Sequence, residues 1–95
     1  MLLHTINKSP YSHHAFKACI TFCQKDDAIV LIEDAVYGIG HSLLIDLQEF
    51  SIYALEADLT ARGLKIKYET QIQIKTISYE EFVNLCIEFP KQKNW

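Results

Sequence analysis

Ala28-Ile29-Val30-Leu31-Ile32, set between Asp26-Asp27 and Glu33-Asp34, decides the fold. A continuous apolar run closed by acidic residues is the form of a strand covered on both faces, as in a parallel sheet. A one-sided antiparallel strand alternates apolar and polar positions instead. Parallel neighbours need crossover connections, so helical segments are expected between the strands.

Working outward, Leu2, Leu3 and Ile6 suggest a first strand over residues 2 to 7, stopped by Asn7, Lys8, Ser9 and Pro10. Residues 12 to 25 read as a helix because Ala15, Phe16, Cys19, Ile20 and Cys23 recur at three-and-four spacing, with Ser12 placed to cap it. Residues 34 to 48 are less regular: Gly38 and Gly40 permit a turn, and Leu43, Leu44, Ile45 and Leu47 suggest a short apolar helix. Residues 50 to 55 read as a third strand, and Asp58 to Arg62 as a brief helix whose Gly63 suits a left-handed C-terminal cap. Ile72, Ile74 and Ile77 alternate with polar residues as a weaker strand. Ser78 and Glu81 form a capping-box pattern ahead of the stripe Phe82, Val83, Leu85, Cys86 and Phe89, which Pro90 ends, leaving Lys91 to Trp95 as a tail. The expected architecture is α/β: a single domain over residues 1–95, three-layer α/β/α, with a mainly parallel sheet.

A chain of 95 residues buries only about 60–65% of its unfolded surface, so its core is thin. Yet 49% of the residues are hydrophobic and 12% aromatic, which leaves apolar surface for a partner chain. The net charge of −3 and the scattered basic residues, with Lys65 and Lys67 the nearest thing to a cluster, argue against direct nucleic-acid binding. No apolar run approaches the roughly 18 residues of a membrane helix, so no membrane association is expected. The first residues lack the basic flank and cleavage site of a secretory leader, so a cytoplasmic location is expected. Three cysteines, Cys19, Cys23 and Cys86, form neither a disulfide framework nor the paired spacing of a zinc ribbon, so reduced thiols are expected.

Parallel sheets place ligands beyond the carboxyl ends of their strands, here Asn7 to Ser12, Glu33 to Gly40 and Glu56 to Asp58. Gly38-Ile39-Gly40 lacks the third glycine and the lysine of the phosphate-binding fingerprints, so no cofactor is expected. Cys19 is the candidate catalytic residue, since a thiolate can accept a sulfane sulfur as a persulfide. Its place in a helical stripe with Phe16, Ile20 and Cys23 favours a core residue over that role. Cys23 and Cys86 read as packing groups. His4, His13, His14 and His41 suggest no metal site: adjacent His13 and His14 diverge by about a hundred degrees on a helix, and a solvated helix start accounts for the histidines better. Glu33 and Asp34 read as residues ending a buried strand in water. Arg62 can clamp a carboxylate, with Glu56 or Asp58 as the local partner. Trp95 is either a frayed end or an aromatic anchor at an interface.

Four segments together resemble the small sulfur-relay subunit family called TusB or DsrH: LHTINKSP at residues 3 to 10, VLIEDAVYG at 30 to 38, YALEADLTARGL at 53 to 64, and SYEEFVNLCIEFPKQKNW at 78 to 95. The resemblance implies a three-layer domain that assembles with two homologous α/β subunits, TusC- or DsrF-like and TusD- or DsrE-like, into a hetero-oligomer, commonly a dimer of trimers. It implies a complex that passes persulfide sulfur between small carrier proteins for 2-thiolation of the transfer RNA wobble uridine, its principal reactive cysteine lying on a sister subunit. Cys19 falls where the DsrH branch, associated with dissimilatory sulfur oxidation, has a cysteine, whereas the FPKQKNW ending resembles the Tus type. A structural, non-catalytic subunit is the leading expectation. A persulfide carrier using Cys19 and a stand-alone ligand-binding module are the alternatives.

Overall fold

The computed structural model describes residues 1–65 and 73–95. Among the described residues, five strands form one sheet in the order β4-β3-β2-β1-β5, and all four pairings are parallel. The strands are β1 (Leu3–Ile6), β2 (Ala28–Leu31), β3 (Ser51–Leu55), β4 (Ile74–Ile77) and β5 (Gln92–Asn94). The helices are α1 (Ala15–Phe22), α2 (Glu56–Ala61) and α3 (Tyr79–Glu88), with two 3₁₀ helices over Glu33–Gly40 and Ser42–Leu47. Every residue of β1 and β2 is buried, as the unbroken apolar run at Ala28 requires.

Strand period divides the core in two. Ile6, Ile29, Leu31, Ile52 and Ala54 face Phe16 and Cys19 of α1, the two 3₁₀ helices and Leu59 of α2. Leu3, Ala28, Val30, Leu55 and Ile77 face Leu85 of α3. Handedness explains this asymmetry. The chain steps from β1 to β4 in one direction across the sheet, then returns through α3 to β5 at the far side. A right-handed crossover therefore puts α3 on the opposite face from the earlier connections.

The structure corrects several local expectations. Helix α1 starts at Ala15 with His14 as its N-cap and no side-chain cap; Ser12 hydrogen-bonds His13 Nδ1 at 2.9 Å instead. The N–H groups of Ser12 and His13 both donate to the Ser9 carbonyl, a turn around Pro10 that delays the helix. Residues 33 to 47 wind almost throughout as 3₁₀ helix, with i to i+3 bonds such as Ala35 N–H to Ile32 O at 3.0 Å. Gly38 lies inside this winding because the Phe16 ring leaves no room: a Cβ there would stand 2.7 Å from Phe16 Cζ. Helix α2 starts at Glu56, two residues before the expected Asp58, and Gly63 adopts φ +65° after it, as the left-handed cap predicts.

The capping box of α3 is complete, with Glu81 N–H donating to Ser78 Oγ at 3.2 Å and Ser78 N–H to Glu81 Oε1 at 3.1 Å. Val83 does not join the buried stripe: Tyr79, Val83 and Ile87, spaced by four, are 62%, 56% and 75% exposed along the outer side of α3. The last residues are not a loose tail. Gln92, Lys93 and Asn94 pair with Leu3, His4 and Thr5, and Trp95 N–H donates to Thr5 O at 2.9 Å. A three-residue strand of Gln-Lys-Asn carries no apolar signal, because it lies at the sheet edge with two of its residues exposed. Ile72 and Lys67 lie outside the described residues; the strand they flank begins at Ile74.

Candidate functional site

His4 points from the middle of β1 to the same face as Ile6 and is fully buried. It is thus unlike exposed His13 and His14, and the solvated helix start does not account for it. Helix α1 runs across this face and brings Cys19 and, one turn later at its C-cap, Cys23 beside the ring. The chain then turns through Asp26, whose φ of +73° is one that a short polar side chain tolerates. That turn folds Asp27 back under β1. Its Oδ1 accepts Leu2 N–H at 2.8 Å, and its Oδ2 accepts Gln24 N–H at 3.0 Å and His4 Nε2 at 2.8 Å. From the other side the Trp95 indole N–H donates to His4 Nδ1 at 3.1 Å.

An indole nitrogen only donates, so Nδ1 is the acceptor and the ring proton sits on Nε2, directed at the Asp27 carboxylate. Burial works against charge on Asp27, but the Gln24 N–H, the His4 ring and the Leu2 N–H outweigh it and hold the carboxyl below its usual range. Phe22 and Trp95 pack edge to face over His4, with ring centroids 5.7 Å apart, and the Lys93 ammonium lies 4.7 Å from the Trp95 ring. Trp95 is therefore an aromatic anchor, but within its own chain.

The two sulfurs, Cys19 Sγ and Cys23 Sγ, are 3.6 Å apart. Cys19 is fully buried, and Cys23 is half-buried. The hydrogen bond to Cys23, then burial and the negative charge nearby, push the Cys19 thiol far up. The Cys19 S–H donated to Cys23 brings that thiol down, against burial and Asp27. As placed, Cys19 is protonated and out of solvent, a poor nucleophile. Cys86 packs with Phe82 and Phe89 against the other core.

At the carboxyl ends of β2 and β3 the geometry is one of closure. Arg62 donates through Nε and Nη2 to Asp34 Oδ1 at 3.1 and 3.0 Å, and its Nη1 lies 3.6 Å from Asp58 Oδ1. Asp58 Oδ2 accepts Glu33 N–H at 2.8 Å, where Glu33 takes φ +49°. Asp34, not Glu56, is the principal carboxylate that Arg62 clamps. The guanidinium is thereby committed to tying α2 to the first 3₁₀ helix.

The signals for the buried cluster were present but separate in the sequence. Cys19 and Cys23 share a helix face by spacing, whereas His4 and Asp27 meet them only through the β1–β2 pairing. Among the described residues, His4, Cys19 and Cys23 form the group of possible metal ligands, their donor atoms within 4.8 Å of one another. Among them too, no helix is long and apolar enough to cross a membrane.

The chain is thus of the class of small α/β proteins with a parallel sheet, and in it His4, Asp27 and Trp95 form a hydrogen-bonded network beside a thiol pair. Within that class the chain belongs to the DsrH-like family, whose described pattern, DsrH like protein, it matches over residues 8–92. It is 33% identical over 98 residues to Protein TusB of Pectobacterium atrosepticum, covering 99% of this chain and all of that protein. The same identity and coverage hold for Protein TusB of Escherichia coli K12. Protein TusB of an Enterobacter species is 30% identical over 98 residues.

Proposed function

We propose that this chain is a structural subunit of a hetero-oligomeric sulfurtransferase complex. That complex relays persulfide sulfur between small carrier proteins for 2-thiolation of the transfer RNA wobble uridine. The observation that carries the reading is the placement of Cys19 in a chain of this family: its thiol is sealed in the core and held protonated, so the reactive sulfur belongs on another subunit. Two homologous α/β subunits, TusC/DsrF-like and TusD/DsrE-like, are its partners. The exposed row Tyr79, Val83 and Ile87 supports such docking, because apolar side chains in line on a helix lose water when another chain covers them. The net charge of −3 supports a role in which transfer RNA is reached through other proteins; the compartment that goes with this reading is the cytoplasm.

Coexpression with the two homologous subunits tests the assembly, and the expected result is one complex on gel filtration. Loss of the chain should lower wobble 2-thiouridine, and both wild type and Cys19→Ser should restore it. A stable monomer that never copurifies with either subunit overturns the reading. A folded Cys19→Ser protein that fails to restore thiolation, with an added sulfur on wild-type Cys19 after incubation with a persulfide donor, replaces it with the carrier role.

A further inference from the structure

Two thiols, an imidazole and a carboxylate converge at the C-terminal end of α1, and no disulfide joins the sulfurs. The helix ends there with its negative pole, and the Asp27 charge is adjacent. The same features favour a bound cation. Spacing points the same way: two sulfurs each about 2.3 Å from one tetrahedral zinc ion lie about 3.8 Å apart. The sulfurs here are separated by 3.6 Å. The carboxylate–imidazole bond from Asp27 to His4 is the arrangement that orients metal-binding histidines, and half-buried Cys23 offers an entry path.

We propose that Cys19, Cys23 and His4 bind one thiophilic cation of the Zn²⁺ class, with Asp27 orienting the imidazole or completing the ligand set. Binding exchanges two thiol protons for two metal–sulfur bonds, with no change of oxidation state. The indole of Trp95 must let go in either ligation mode. If Nδ1 takes the metal, the indole N–H loses its acceptor. If Nε2 does, the ring proton moves to Nδ1 and faces the indole N–H donor to donor. Trp95, the one tryptophan of the chain, therefore reports occupancy.

The test is titration of the reduced protein with Co²⁺, followed by displacement with Zn²⁺. One equivalent should bind with thiolate-to-cobalt charge-transfer bands, tetrahedral visible bands and a change in Trp95 emission. Cys23→Ser should cut the charge-transfer intensity at saturation to about half and weaken binding at least about 100-fold, more than loss of an outer-shell partner does. Cys86→Ser should change neither. Should Cys23→Ser fail to fold, Zn²⁺ must protect wild-type Cys23 but not Cys86 from alkylation, read by mass spectrometry. Octahedral spectra, binding equally tight in Cys23→Ser, an unchanged Trp95 emission at saturation, or alkylation of Cys23 indifferent to Zn²⁺ each overturn the site.

Discussion

Asp27→Ala should be among the most damaging single substitutions available outside the apolar core. Asp27 is 4% exposed and accepts three hydrogen bonds, from Leu2 N–H, Gln24 N–H and His4 Nε2–H. Without it the His4 ring proton is left in a sealed position, which costs about 1–3 kcal/mol. The two part-buried backbone donors, nearer to water, add about 0.5–1.5 kcal/mol each. The expected loss is about 2–6 kcal/mol, against the ordinary domain stability of about 5–15 kcal/mol. At this chain length that lowers the melting temperature by roughly 10–30 °C. Asp27→Asn retains one acceptor oxygen and should cost less, about 1–3 kcal/mol. Equilibrium urea unfolding measures both. The pH dependence supplies an independent check. The Asp27 pKa is lower in the folded state than in the unfolded chain, so its contribution is fully present above the unfolded value of about 3.9 and fades as pH falls through the folded value. Wild type should lose stability below about pH 4, and Asp27→Asn should lose less of it there. An Asp27→Ala protein within about 1 kcal/mol of wild type, or an acid limb identical in Asp27→Asn, refutes the reasoning.

Gly38→Ala places a methyl 2.7 Å from the buried Phe16 ring and should destabilise by about 1–3 kcal/mol by overpacking, measured by thermal unfolding; Gly40→Ala, with open space around it, is the control. Ser78→Ala removes half of the α3 capping box and should cost about 1 kcal/mol, seen as a lower urea midpoint at unchanged slope.

The sheet was legible wherever residues are buried on both faces or carry local punctuation. Ala28 to Leu31 reads as an internal strand because both of its faces are apolar, and Ser78 with Glu81 marks a helix start through bonds made within four residues. The rest depends on distance along the chain. Nothing in Gln92-Lys93-Asn94 advertises a strand, since its partner supplies the only reason to be extended. His4 looks like the other histidines until β1 is placed between β2 and β5 and its ring is closed in by Asp27 and Trp95. The 3₁₀ winding of residues 33 to 47 was hidden because three-residue hydrogen bonding leaves no period that differs clearly from that of an α-helix. Arg62 was readable as a clamp from its residue type, but its main carboxylate, Asp34, lies 28 positions earlier.

Because β5 closes against β1, the third residue of the chain is joined to the ninety-second, and His4 to a tryptophan 91 positions away. During vectorial synthesis the first strand emerges early and then waits, one side paired with β2 and the other open, until the residues of β5 have left the ribosome. Such long loop closures slow folding and leave a sticky margin exposed to neighbouring nascent chains. Here a short, polar, lysine-bearing ribbon seals that margin, so removal of residues 92 to 95 uncovers the first strand of the sheet and its buried imidazole together.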